Sequence, residues 1–208
     1  MIDQLSLSVA FMLSTAALAS SAEPDPVRTS EVDAIECRLD APDYSAFAFA
    51  VEGEEKVARK RGWKKVASAN PMLLEFDLPA PITVAQGYST RRIAFTADGI
   101  LAILDLADPN VLAAPRKIAN TMDPEPMIAA MVASGKVTRT EAEGMIRFRK
   151  FLGEEVVHDV TEPAPEKGGY GSRTTIARTI SNATTHPGKT FYGCSYRMEI
   201  LDENGEPL

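Results

Sequence analysis

The chain has two cysteines, Cys37 in "AIECRLD" and Cys194 in "KTFYGCSYRMEI", one near each end of the part expected to be ordered. A bridge between them would bring the first and last ordered segments together. It would also close a loop of more than 150 residues, which the chain-entropy argument equates with about 5 kcal/mol of stabilisation before strain. No other pair of residues could constrain the fold as much. The alternatives are two unpaired core cysteines or a reactive thiol, although neither position has a C-x-x-C or cysteine-protease signature.

Whether a bridge forms depends on the compartment, and the amino terminus bears on that. "LSLSVAFMLSTAALA" runs from Leu5 to Ala19 without a charge. It falls short of the roughly twenty residues a membrane-spanning helix needs. Small residues at Ala17 and Ala19, or Ser20 and Ala22, fit a cleavage site, so residues 1–22 read as a secretory signal peptide cut after Ala22 or Ala19. "MIDQ" departs from the pattern, since it supplies Asp3 and no Lys or Arg. An uncleaved apolar helix is the alternative. Export implies a periplasmic or secreted protein in an oxidising compartment, where a Cys37–Cys194 disulfide would persist.

The 208 residues are 45% hydrophobic, enough for one sizeable core. A formal net charge of −7 repels a phosphate backbone and argues against nucleic-acid binding. The expected organisation is a flexible lead-in over 23–31, a single β-rich domain over 32–201 and a tail over 202–208. "VDAIECRLD" and "FAFAVEG" read as strands, the second from the alternation of Phe47, Phe49 and Val51. "MLLEFDL" and "ITV" flank Pro79 and Pro81, which imply an edge or a bend.

"RRIAFTADGILAILDL" is the clearest local signal. Asp98-Gly99 separates two apolar runs as in a type I′ hairpin, and the second arm, apolar on both faces, belongs inside a sheet. A helical insertion is expected over about 108–153, with starts at Asp108-Pro109 and Asp123-Pro124. Thr138 and Glu141 stand in capping-box spacing, and Met127, Ile128, Met131 and Val132 form a stripe that suits core filling or a partner surface. "EVVHDV", "TTIARTISN" and "KTFYGCSYRMEI" return to strand character. The fold class is therefore α+β, a mainly antiparallel β-sheet curled into a barrel or sandwich with an inserted helical segment.

Catalytic signatures are sparse. His158 and His186 are the only histidines and lack zinc-site spacing, and no nucleotide-binding glycine motif follows a strand, so neither metal nor cofactor is expected. A Ser/His hydrolase stays open because such residues converge in space, but "GGYGSR" lacks the nucleophile-elbow pattern at Ser172. The unusual charged feature is "EKVARKRGWKKV", in which Lys56, Arg59, Lys60, Arg61, Lys64 and Lys65 surround Trp63. It suits peripheral contact with an anionic membrane surface, or a solvated connection whose Trp packs inward.

The resulting expectation is an exported, non-catalytic binding or structural protein of a bacterial envelope that takes a partner, a lipid or a small apolar ligand. A pocket lined by Phe47, Phe49 and Phe95 would favour the small ligand.

Overall fold

The computed structural model of the chain describes residues 25–122, 124–145 and 151–208. The expected signal peptide and its cleavage sites, Asp123 and residues 146–150 lie outside the described residues. Described structure starts at Asp25, where hydrogen bonds from Arg28 N–H and Thr29 N–H to the Asp25 carbonyl form a turn.

Both strands expected at the amino-terminal end are helices. Ser30 caps α1 (Glu31–Ile35), its hydroxyl accepting from the Val32 and Asp33 amides. Asp40 caps α2 (Ala41–Glu52) by accepting from Asp43 N–H, and Pro42 sits in its first turn. Ala41, Tyr44, Phe47, Ala50 and Val51 are the buried residues of α2. That spacing has a helical period, so the alternation of Phe47, Phe49 and Val51 was misleading: Phe47 points in and Phe49 points out. A short α3 (Val57–Lys60) follows.

Among the described residues seven antiparallel strands form the sheet: β1 (Lys64–Val66), β2 (Leu74–Val84), β3 (Tyr88–Phe95), β4 (Gly99–Leu104), β5 (Phe151–Glu162), β6 (Gly171–Asn182) and β7 (Thr190–Leu201). Their spatial order is β1-β2-β3-β4-β7-β6-β5. The two ends of that order do not pair, so the sheet is open and the expected barrel is corrected. Closure would need β1 to pair with β5, but β1 has three residues and runs beside only Glu75–Asp77.

Pro79 and Pro81 lie where β2 has left β1 behind and where its register with β3 breaks between Asp77 and Ile82. The bend and the edge read from these prolines are both present.

The hairpin of β3 and β4 forms with its turn shifted by one residue. Thr96 N–H donates to the Gly99 carbonyl (2.8 Å), which makes Ala97 and Asp98 the central residues. Neither has positive φ, so the turn is not type I′. Gly99 instead starts β4 opposite Ser195, where a Cβ would run into the Cys194 carbonyl oxygen. All six residues of β4 are buried, as its sequence implied.

The helical insertion comprises α4 (Asn110–Ala113), a 3-10 turn (Ala114–Arg116), α5 (Glu125–Ala133) and α6 (Arg139–Met145). The Thr138–Glu141 capping box closes reciprocally: Thr138 N–H donates to Glu141 Oε2 (2.7 Å) and Glu141 N–H to Thr138 Oγ1 (3.3 Å). Of the expected apolar stripe, Ile128 is buried while Met127 and Val132 stay exposed.

The main core lies between the amino-terminal helices and one face of the sheet, where Ile35, Phe47, Trp63, Phe76, Phe95, Ile100 and Tyr192 converge. A smaller cluster on the other face holds Leu73, Leu101, Ile103 and Phe191. The Cys37–Cys194 disulfide is present, with the two Cα atoms 5.3 Å apart. Cys37 adopts a left-handed φ of 58° directly after α1, which turns its side chain back to β7.

Beside the bridge, Tyr192 Oη donates to Glu36 Oε2 (2.8 Å), and Arg178 donates to Tyr192 Oη (3.1 Å) and the Glu36 carbonyl (3.3 Å). Replacing both cysteines by alanine is expected to lower unfolding stability by about 2–5 kcal/mol, read from urea unfolding with midpoint and slope fitted together, because the unfolded chain without the crosslink exposes more surface and steepens the slope. A stability within error of the wild type would show that the polar contacts alone hold α1 on the sheet.

Candidate functional site

A helix that buries Phe47 must turn Phe49 outward, and Phe49 is 80% exposed at the edge of a groove. The groove has a volume of about 510 Å³ and runs between Ala48 and Phe49 of α2, the Pro71–Leu74 segment and the Phe95–Asp98 turn. Tyr44 and Tyr196 line it as well, their rings stacked at 4.1 Å. Met72, 75% exposed, lines it too. Beyond Met72 and the same turn, a second hollow of about 420 Å³ reaches Met122, Ala183 and Phe191. Large apolar side chains held in water around a concave, mostly apolar surface make this groove the candidate binding site.

Of the three phenylalanines singled out in the sequence, Phe49 and Phe95 line this groove. Phe47 sits behind it in an aromatic cluster, edge-on to Trp63 at 6.5 Å and tilted against Phe95 at 6.0 Å. Met72, Tyr44 and Tyr196 were not expected. The local signal that would have found this wall is the Asp40-Pro42 helix start, which converts a two-residue alternation into a helical one.

The cationic stretch divides in the folded chain. Lys56, Arg59, Lys64 and Lys65 border one cleft of about 560 Å³, with Trp63 and Phe76 at its base and Glu52 as its one acidic side chain. Trp63 is only 8% exposed, so it packs inward and cannot serve as an interfacial indole. Arg61 turns the other way. Its guanidinium binds Glu31 (2.6 Å) and the carbonyls of Thr29 (2.5 Å) and Val27 (2.9 Å), and it stacks over Phe47 and Trp63. Lys60 is exposed and outside the cleft lining.

Neither histidine meets a serine among the described residues. His158 is exposed on β5. His186 is engaged at both ring nitrogens, Nε2 with Glu75 Oε1 (3.0 Å) and Nδ1 with Thr185 Oγ1 (3.0 Å). Glu75 is 1% exposed and accepts a further bond from Arg92 (3.1 Å). This arrangement pins the β6–β7 loop to β2 and satisfies a buried carboxylate. Among the described residues no group of three or more His, Cys, Asp or Glu could hold a metal ion.

Burial raises the phenols of Tyr44 and Tyr196 well above their usual range, and burial followed by the Glu36 hydrogen bond raises Tyr192. Comparison with known proteins finds no matching family model, no matching curated protein and no matching solved structure.

Two outcomes are expected from these environments. The folded chain holds the three phenol protons more tightly than the unfolded chain does, so stability is full below the unfolded phenol pKa of about 10 and falls as pH rises beyond it. Urea midpoints across alkaline pH, followed together with phenolate absorbance, read this directly; a flat midpoint would contradict it. His186→Ala should cost about 1–3 kcal/mol by removing a partner of buried Glu75. His158→Ala should stay within about 0.5 kcal/mol, both measured by urea unfolding.

Proposed function

We propose that the chain is an exported, non-catalytic binding protein of a bacterial envelope, periplasmic or secreted, whose groove under Phe49 takes a small apolar ligand or a lipid chain. The observation that carries this reading is the pair Phe49 and Met72, both held in water while lining a groove of about 510 Å³. Solvating two large apolar side chains is unfavourable by roughly 1.5–3 kcal/mol each relative to burying them, and a hydrocarbon between them would recover part of that. The volume falls in the range of small-molecule pockets.

Two further facts support export. The uncharged run Leu5–Ala19 has the length and the small terminal residues of a secretory leader. The disulfide suits an oxidising compartment. The competing reading, an exported hydrolase using serine and histidine, has less to stand on, since the polar contacts of His186 run to Thr185 and Glu75.

The test is titration with the neutral fluorophore N-phenyl-1-naphthylamine. Saturable binding at one site is expected, and Phe49→Gln with Met72→Gln should weaken it about tenfold or more without moving the urea midpoint. Binding that never saturates, or that the double variant leaves unchanged, would overturn the groove. Intact mass of the protein expressed with its own amino terminus in a Gram-negative host tests export separately, through loss of residues 1–19 or 1–22 from the envelope fraction.

A further inference from the structure

The groove and the cationic cleft are neighbours along two elements at once. On α2, Phe49 lines the groove and Glu52 lines the cleft. Residues three apart on a helix lie on one face about 4.5 Å apart along the axis. On β2, Leu74 lines the groove and Phe76 lines the cleft. Alternate residues of a strand share one face of the sheet at a separation of about 7 Å. A molecule lying in the groove therefore needs only a few methylenes to bring its end into the cleft.

The chemistry at that end is specified by charge. Lys56, Arg59 and Lys65 bring three cations to the cleft in a chain whose formal net charge is −7, whereas Lys64, which also borders it, precedes Lys65 on β1 and so turns its side chain to the opposite face of the sheet. The single acid there, Glu52, is bound to Lys65 at 2.9 and 3.0 Å, and both side chains are about half exposed. Asp77, opposite Lys64 in the β1–β2 register, is already engaged by Arg92 at 2.7 Å. The cations thus outnumber the acids available to them. Lys56 holds a left-handed φ of 51° at the start of α3, and the exposed Gly62 closes the connection from α3 to β1 with a φ of 70°.

We propose that the ligand is an anionic amphiphile, with its hydrocarbon in the groove beside Phe49 and its phosphate or sulfate head among Lys56, Arg59 and Lys65. This rests on the groove reading above and names its ligand class. It also replaces the anchor suggested by the sequence: the aromatic side chain available to a hydrocarbon beside the cations is Phe49, because Trp63 is packed beneath the cleft. Lys65 exchanges its contact with Glu52 for the head group. Removing that acid by Glu52→Gln leaves the cation free and strengthens anion binding.

The experiment is displacement of bound N-phenyl-1-naphthylamine by dodecyl phosphate and by dodecanol, both below their aggregation concentrations and at low salt. Dodecyl phosphate is expected to compete at least about tenfold better, because only its charged head forms ion pairs with the exposed cations. Added salt should narrow the gap. The triple variant Lys56→Gln, Arg59→Gln, Lys65→Gln should erase it while leaving displacement by dodecanol unchanged, and Glu52→Gln should widen it.

Equal competition by the two compounds in the wild type would overturn the head-group assignment and leave the groove standing. Failure of both to displace a bound fluorophore would overturn the groove with it. Sedimentation with phosphatidylglycerol vesicles distinguishes the source of the head group. Pelleting that the triple variant abolishes supports the site with a bilayer lipid as its source; protein that stays in the supernatant with bound dodecyl phosphate supports it with a free amphiphile.

Discussion

The bond between Cys37 and Cys194 is the constraint on which the arrangement of the other elements depends. Cys194 is buried in β7, which lies between β4 and β6 within the sheet. Cys37 follows a helix of only five residues, too short to be stable by itself. Tying the two together holds α1 over the sheet and determines where α2 begins. The Glu36, Tyr192 and Arg178 contacts repeat the constraint with hydrogen bonds one residue away from the bridge on the helix side. A covalent bond and a charge-assisted network therefore act on the same junction.

Once α1 is fixed, the face that α2 presents follows from helical geometry. Tyr44 stacks on Tyr196 and Phe47 enters the aromatic cluster with Trp63 and Phe95. The outward positions then fall at Phe49 and Glu52. The groove, the cleft and the divide between them are thus consequences of one helix phase, and core packing maintains that phase. A groove built this way owes its shape to packing, because its walls are also the outer surface of the core.

The polar contacts on the other side of the sheet have a different role. Glu75 is almost wholly enclosed, yet it meets both His186 and Arg92. An unpaired carboxylate there would be unfavourable by several kcal/mol, so these partners secure the loop between β6 and β7 as well as the charge. The neighbouring Phe191, edge-on to His186 at 5.1 Å, lines the second hollow. The most chemically suggestive residue of the sequence is thus used in holding a wall in place.

Local patterns within the chain determined much of this protein. The hydrophobic runs and turn residues specify β4 as an interior strand, the long hairpins of β5, β6 and β7, the bend at Pro79 and Pro81, and the Thr138–Glu141 cap, because each depends on near neighbours in the chain. The Cys37–Cys194 pairing was legible too, given an oxidising compartment. Tertiary structure alone decided the rest. The segment around Phe47 and Phe49 fits either period over so short a window, and packing against β7 with a cap at Asp40 selects the helix. Trp63 looked like a surface anchor among six cations, but the free energy of burying an indole against Phe47 and Phe76 outweighs its neighbours in sequence. The groove joins α2 to residues from Pro71 to Asp98 and to Tyr196, and the cleft joins α2 to β1. A surface shared between such distant stretches exists only after the sheet and the bridge have brought them together.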